Sequence, residues 1–470
     1  MDSRSRGAGP GKIQTGSSYN FRPGNFRPAR SHPVKRVPFR QSESARFHTG
    51  WTVFWAAFVV RVLYITLAHT YRFRLAGHHF AFGYEMGRIA RALVEGRGYA
   101  DPFYGHTGPT TWVAPLYPLL LAGVFKVFGV YTLKSGWVIL TLNSFFSALT
   151  TLTTYEIAAR CFNRRVAVWS AWIWALYPAA MQYAVRWVWE MTLSTWLFTC
   201  ILVLALRMRG IGEAAPVGET RTLRRWLLFG FLWGVLGLSN PSLLLVLPAA
   251  GIWVLWRTKN PGRQIAFAAA SAGIFLLCIS PWVIRNAMVF HRFIPMRANF
   301  GAELYLGNGP GANGFLMEYN HPYEDRAQMR LYKQLGEVAY AQTRGREAEA
   351  FMASDPGLFL RNTVKRFYFF WISVPHPSSD HAWIVEAGRV LNFAFASIAG
   401  LLGLGLALKR RAPAAWLFAW AFLLVPLIYY FVTVHARFRD PLEPLIAILA
   451  VYLFQSADKG VFARWTRHSG

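Results

Sequence analysis

Cysteine is nearly missing from this chain: 3 residues in 470, Cys161, Cys200 and Cys278, each in or beside a different apolar run. That excludes a disulfide framework, and no spacing suits a structural metal, so the three read as small core residues. Charge is scarce as well. Only 15% of residues are charged, where a soluble domain carries nearer a quarter, while 54% are hydrophobic. Acids are the rarest of all, 22 Asp and Glu against 50 Lys and Arg. An acidic, solvated chain is excluded, and the few carboxylates become individually informative.

What the chain has instead is long apolar runs. They are Trp51–Ala68, Trp137–Ala158, Val166–Ala184, Met191–Leu206, Trp226–Trp256, Ile265–Ile284, Val390–Leu408, Pro413–Val434 and Leu445–Phe454. Most approach the length of a bilayer span. The fifth is long enough for two short helices broken at Asn240-Pro241, because proline removes a backbone donor. The reading is an all-α polytopic membrane protein of about ten transmembrane helices.

A net charge of +28 would suggest nucleic acid in a soluble protein. Its placement argues otherwise. Ten Lys and Arg fall within residues 1–50, and further clusters follow at Arg160/Arg164/Arg165, the 207–225 loop, Arg257/Lys259/Arg263, Lys409/Arg410/Arg411 and the C-terminal tail. If the helices alternate, all lie on one side, as the positive-inside rule requires. Both termini are then expected in the cytoplasm, with the bilayer rather than nucleic acid as partner. Residues 1–50, rich in Gly, Pro, Ser and Arg, are expected to be a disordered basic tail, too long and polar for a cleaved signal peptide. Residues 51–455 form the membrane domain and 456–470 a cytoplasmic tail.

Alternation leaves 70–136, 285–385 and 435–444 outside, and most ionisable residues outside the cytoplasmic clusters lie in them. A transporter would place polar residues within helices near the midplane, so this distribution suits an enzyme at the lipid–water boundary. In the first outer loop, which begins its polar part at His78-His79, Met86, Ile89, Ala90 and Leu93 form a helical stripe ended by Gly96 and Gly98. Glu85 falls in the first turn of that interfacial helix and Arg88 one turn on. The plainest local reading is a helix-end charge paired to Arg88. The prolines at 109, 115 and 118 then predict a turn feeding a second interfacial helix, Leu119–Phe128.

Three further groups stand out. Glu190 follows Arg186-Trp187-Val188-Trp189 at a helix junction, either as part of an aromatic belt with a snorkelling arginine or as a functional carboxylate at membrane depth. Arg285 closes Ser280-Pro281-Trp282-Val283-Ile284-Arg285. His435, Arg437 and Arg439 sit in His435-Ala436-Arg437-Phe438-Arg439-Asp440-Pro441-Leu442-Glu443-Pro444. There guanidinium forks would meet a lipid phosphate or merely bulk headgroups.

In this order the residues resemble the signature of GT-C membrane glycosyltransferases. It comprises an acidic residue in the first outer loop, Pro115-Leu116-Tyr117-Pro118 before Phe125-Lys126-Val127-Phe128-Gly129, Pro281-Trp282-x-x-Arg285-Asn286, and the His435–Pro444 run. The pattern is similar to glycosyltransferase family 39, which includes protein O-mannosyltransferases and lipid A aminoarabinose transferases, and spans about residues 51 to 455. The resemblance implies an inverting transferase that uses a polyprenyl-phosphate sugar and a lipid, glycan or protein acceptor. It also implies an inner (plasma) membrane location, with the active site on the periplasmic or outer face. The family's first-loop base maps to Glu85, where the common form is Asp or Asp-Glu, and its second acidic residue to Glu190. Substrate binding falls to Arg88, Glu190, Arg285, His435, Arg437 and Arg439. Some members carry a Glu-Lys pair for metal and phosphate where this chain has Thr111-Trp112-Val113-Ala114. No metal site therefore carries over, no cofactor is assigned, and a divalent metal stays open. A flippase or transporter of a lipid-linked saccharide and a non-catalytic partner in polysaccharide assembly are the other classes. The first would move donor without consuming it and the second would tolerate Glu85→Gln.

Overall fold

The structure, a computed structural model, describes residues 43–73, 81–213, 221–374 and 383–457. The expected tail up to residue 42, His78 and His79, much of the 207–225 loop, and the C-terminal tail from 458 lie outside the described residues. The rest is helical, and the pairing seen outside helices is one isolated antiparallel bridge between Ala100 and Pro109.

The chain runs through α1 (Glu43–Leu67), α2 (Tyr84–Val94), α3 (Leu116–Phe128), α4 (Leu133–Cys161), α5 (Arg164–Leu176), α6 (Pro178–Val185) and α7 (Met191–Met208). Then come α8 (Leu223–Gly237), α9 (Leu247–Leu255) and α10 (Pro261–Phe290). The long 285–385 segment follows as α11 (Phe300–Asn308), α12 (Arg326–Leu335), α13 (Glu337–Ser354) and α14 (Pro356–Ile372). The chain closes with α15 (Trp383–Lys409), α16 (Ala415–Leu424), α17 (Leu427–Phe431) and α18 (Glu443–Ala457).

Among the described residues, five helices are long and apolar enough to cross a membrane: Thr49–Leu67, Leu133–Cys161, Met191–Met208, Pro261–Phe290 and Trp383–Lys409. Shorter apolar helices occupy Leu116–Phe128, Pro241–Leu255 and Ala415–Phe431. Several runs that count as single crossings in the sequence are broken. Val166–Ala184 divides at Tyr177-Pro178, and Pro413–Val434 changes helix at Val425-Pro426. The expected break at Asn240-Pro241 is present, and the Asn240 side chain caps a 3-10 turn, Pro241–Val246, before α9. In each case proline cannot donate to the ladder behind it. The chain is a multi-pass membrane protein.

The main core gathers α1, α4, α5, α7, α8 and the last helices. Lipid offers no hydrophobic drive between helices, so small residues let them approach. A Cβ on Gly230 of α8 would lie 2.0 Å from the Ser271 carbonyl of α10. A second core, built from Ile89, Tyr99, Phe103, Trp112, Trp282, Tyr332 and Tyr340, binds the first outer loop to the 285–385 segment. Two segments far apart in sequence therefore form one packed unit.

Candidate active site

The helical stripe read from 86–93 is α2, with Glu85 in its first turn and Gly96 and Gly98 both left-handed beyond its end. Gly83 sets the angle of entry. Its φ is 107°, and a Cβ there would stand 3.1 Å from both Gly87 N and Val188 Cγ1. A side chain would push α2 off the Arg186–Glu190 turn, so the glycine keeps Glu85 beside Glu190.

Aromatic stacking secures the same junction. Trp187 and Trp189 lie parallel with centroids 4.8 Å apart, and Tyr84 stacks on Trp189 at 5.3 Å. On Trp189 also rests the guanidinium of Arg437, 4.2 Å from the ring centroid. Arg437 comes from the 3-10 turn Ala436–Leu442, so a cation from near the end of the chain meets two carboxylates from its first half.

Arg297, in a turn without local sequence signal, completes the group. Its Nε donates to the Trp112 carbonyl at 2.8 Å, and its Nη2 lies 3.7 Å from Glu303. The turn that carries Trp112 is itself braced. Glu337 accepts from Thr111 N (2.7 Å), Tyr332 Oη (3.0 Å) and Thr110 Oγ1, while Arg285 donates to the carbonyls of Thr110 (2.7 Å) and Tyr99 (2.8 Å). Burial pushes the Glu337 carboxyl up, and the three donors pull it back.

His321 lies against Glu85, with Nε2 3.7 Å from Oε1. Tyr323 N donates to Nδ1 at 3.2 Å, which leaves the ring proton on Nε2, facing the carboxylate. Burial lowers the His321 pKa to about 4, so the ring is neutral near pH 7 and the contact is no ion pair there. Burial raises both Glu85 and Glu190. Arg437 and Arg297 oppose the rise at both, Arg88 also does so at Glu85, and the negative charge of Glu85 adds to the rise at Glu190. Side-chain exposures of 17% for Glu85 and 14% for His321 leave the pair partly open, as a site needs and a core pair lacks.

The residues expected at a site divide in two. Glu85, Glu190 and Arg437 come together, with Arg88 close by: its guanidinium lies 4.4 Å from the Tyr104 ring and donates to the Phe103 carbonyl. Arg439 does not join them. It is fully buried, its Nε donates to Glu443 at 2.6 Å, and it stands 3.5 Å from the Phe393 ring centroid. Arg285 is turned to carbonyls and to the Tyr99 and Trp282 rings, and His435 lies edge-on to Phe438. Among the described residues no group of three or more His, Cys, Asp or Glu is placed to hold a metal ion.

The family model for dolichyl-phosphate-mannose-protein mannosyltransferase matches residues 112–284, a stretch holding Glu190 but not Glu85, Arg297 or Arg437. A search of curated proteins finds no match. The apo oligosaccharyltransferase of Archaeoglobus fulgidus is similar at a TM-score of 0.53 and 13% identity, over 91% of this chain and 52% of that one. The same archaeal protein tethered to an acceptor peptide gives 0.50 and 12%, over 89% and 50%. ArnT from Cupriavidus metallidurans bound to undecaprenyl phosphate gives 0.41 and 13%, over 89% and 79%. The chain thus spans about half the length of the archaeal structures it matches. It shares its helical fold with the archaeal oligosaccharyltransferase, and the resemblance to glycosyltransferase family 39 read from its motifs is borne out over residues 112–284, where the mannosyltransferase family model matches.

Proposed function

We propose that the chain transfers a sugar, with inversion, from a polyprenyl-phosphate donor to an acceptor hydroxyl on the outer face of the membrane. The observation that carries this reading is the meeting of Glu85 and Glu190 with Arg297 and Arg437 in one partly open site. In a single displacement, the Glu85 carboxylate takes the acceptor's proton as the oxygen attacks the anomeric carbon. The bond from that carbon to the phosphate oxygen breaks, and the phosphate leaves with the electron pair. Polyprenyl phosphate is already a good leaving group, so charge neutralisation matters more than acid catalysis. Arg437 and Arg297, which both act on Glu85 and Glu190, supply that charge in a partly desolvated setting. Because burial raises Glu85, the base fills with protons at a pH above the ordinary carboxylate range, so turnover falls with acidity from a correspondingly higher pH.

The assay is purified protein incubated with a panel of polyprenyl-phosphate sugars and acceptors, with and without divalent metal. Sugar consumption with inverted anomeric configuration is expected. Donor translocation without consumption would replace the reading with a flippase. The outer-face placement is tested by labelling introduced cysteines from outside: Asn320→Cys should react and Ala215→Cys should not.

A further inference from the structure

A second charged site lies at the far end of α7. That helix starts beside Glu190 and, at 18 residues and 1.5 Å per residue, sets Arg209 about 27 Å from it, on the other side of the protein. Three arginines gather there. Arg209 Nη1 donates to the Trp253 carbonyl at 2.6 Å, with the guanidinium 4.6 Å from the Trp253 ring centroid. Arg221 is only 4% exposed, reaches the Trp256 carbonyl at 3.5 Å, and has a buried Nε with no hydrogen-bond partner among the described residues. Its backbone is pinned, because Gln264 Nε2 donates to its carbonyl at 3.1 Å while Gln264 Oε1 accepts from Trp226 at 2.8 Å. Arg257, exposed and in a left-handed turn just past α9, is the third.

The charged groups that act on Arg209 are Arg221 and Arg257, and both repel it. Among the described residues, the carboxylates of this end, Glu156 and Glu213, are already engaged by Arg160, Arg207 and Arg225. The carbonyls at the end of α9 give some relief. A helix C-terminus, however, is worth roughly half a negative charge, against three cations here. A snorkelling arginine keeps its head in water, whereas Arg221 is buried with an unused donor. The exposed side chains beside the cluster are Ile252 and Trp256, 61% and 60% exposed, an apolar wall with an interfacial tryptophan.

We propose that Arg209, Arg221 and Arg257 form a binding site for the phosphodiester headgroup of an anionic phospholipid, on the face opposite Glu85. The phosphate oxygens accept from the free guanidinium N–H groups while the acyl chains lie along Ile252 and Trp256. A soluble phosphate shares the headgroup chemistry but has no use for the apolar wall.

The full chain is purified into micelles and offered phosphatidylglycerol, phosphatidylcholine or inorganic phosphate, and retained ligand is counted by native mass spectrometry. Retention of phosphatidylglycerol over phosphatidylcholine is expected, with affinity falling about fivefold for each of Arg209→Gln and Arg257→Gln. Arg257 is exposed, so its variant reads the site even where Arg221→Gln fails to fold. Lys259→Gln, a cation of the same loop, is expected to retain the lipid. Equal retention of the two lipids, or unchanged retention in Arg257→Gln and Arg209→Gln, would overturn the proposal. Displacement of phosphatidylglycerol by inorganic phosphate would overturn the lipid assignment.

Discussion

Arg437 and Arg439 stand two residues apart on one 3-10 turn and belong to different regions of the molecule. Arg439 faces inward, where Glu443, Ser397 and the carbonyls of Trp371 and Phe393 use its donors and no surface remains. Arg437 faces the cleft, resting on Trp189 and acting on Glu85, Glu190 and Tyr84. The same motif thus fastens the final helix to the bundle with one guanidinium and charges the site with the other. The difference lies in what each finds beside it. A carboxylate on the next turn captures Arg439, and an aromatic face holds Arg437 while leaving its edge N–H groups for a ligand.

The largest effect expected from breaking that division is on stability. Arg439→Ala strands a buried Glu443 and should lose about 3–5 kcal/mol, read as thermal unfolding in detergent. Arg437→Ala forgoes a partly exposed cation–π contact and should lose about 0.5–1 kcal/mol. The double variant Arg439→Met with Glu443→Leu should recover much of the loss, since a packed apolar pair replaces a buried ion pair at little cost. Comparable losses in Arg437→Ala and Arg439→Ala would dissolve the comparison.

His321 sharpens the cleft side through pH. Its folded pKa, about 4, lies below the ordinary 6.5, so the native state takes up its proton later than the unfolded chain. The stability this group contributes is complete above pH 6.5 and drains away as pH falls from 6.5 toward 4, on the order of 3 kcal/mol in all. His321→Gln should flatten that stretch of the stability–pH curve. A curve as steep as wild type would mean that other groups cause the acid loss.

Substituting the cleft arginine conservatively gives a smaller effect. Arg437→Lys keeps the charge but not the fork, and donor affinity should fall about tenfold, the worth of one charge-assisted hydrogen bond. Unchanged affinity would reduce Arg437 to a contact with bulk headgroups and pass the phosphate to Arg297 or Arg88.

Much of this was legible in the sequence, and the rest was hidden for physical reasons. Apolar runs and prolines announce the helices, and the 86–93 stripe places Glu85 in its first turn. Glu190 is legible as a carboxylate at a helix junction after Arg186-Trp187-Val188-Trp189, at membrane depth. Spacing could not separate Arg437 from Arg439, because their fates depend on Trp189, Phe393 and Ser397, which arrive from other helices. Arg297 and His321 carried no local signal, lying in turns beside Pro295 and Pro322 with no periodic pattern. What brings them in is the second core and the Glu337 brace on Thr110 and Thr111, contacts more than two hundred residues apart. Where a proline divides an apolar run, as at Tyr177-Pro178 and Val425-Pro426, hydropathy alone does not show the break into two helices.

Glu85 as the base of a transfer reaction, rather than a helix-end charge, is tested most directly by Glu85→Gln, with donor binding and turnover measured in the same preparation. Binding close to wild type with turnover reduced about a hundredfold or more is the predicted result, the usual worth of general-base catalysis. Near-wild-type turnover, or a loss confined to donor binding, would contradict it.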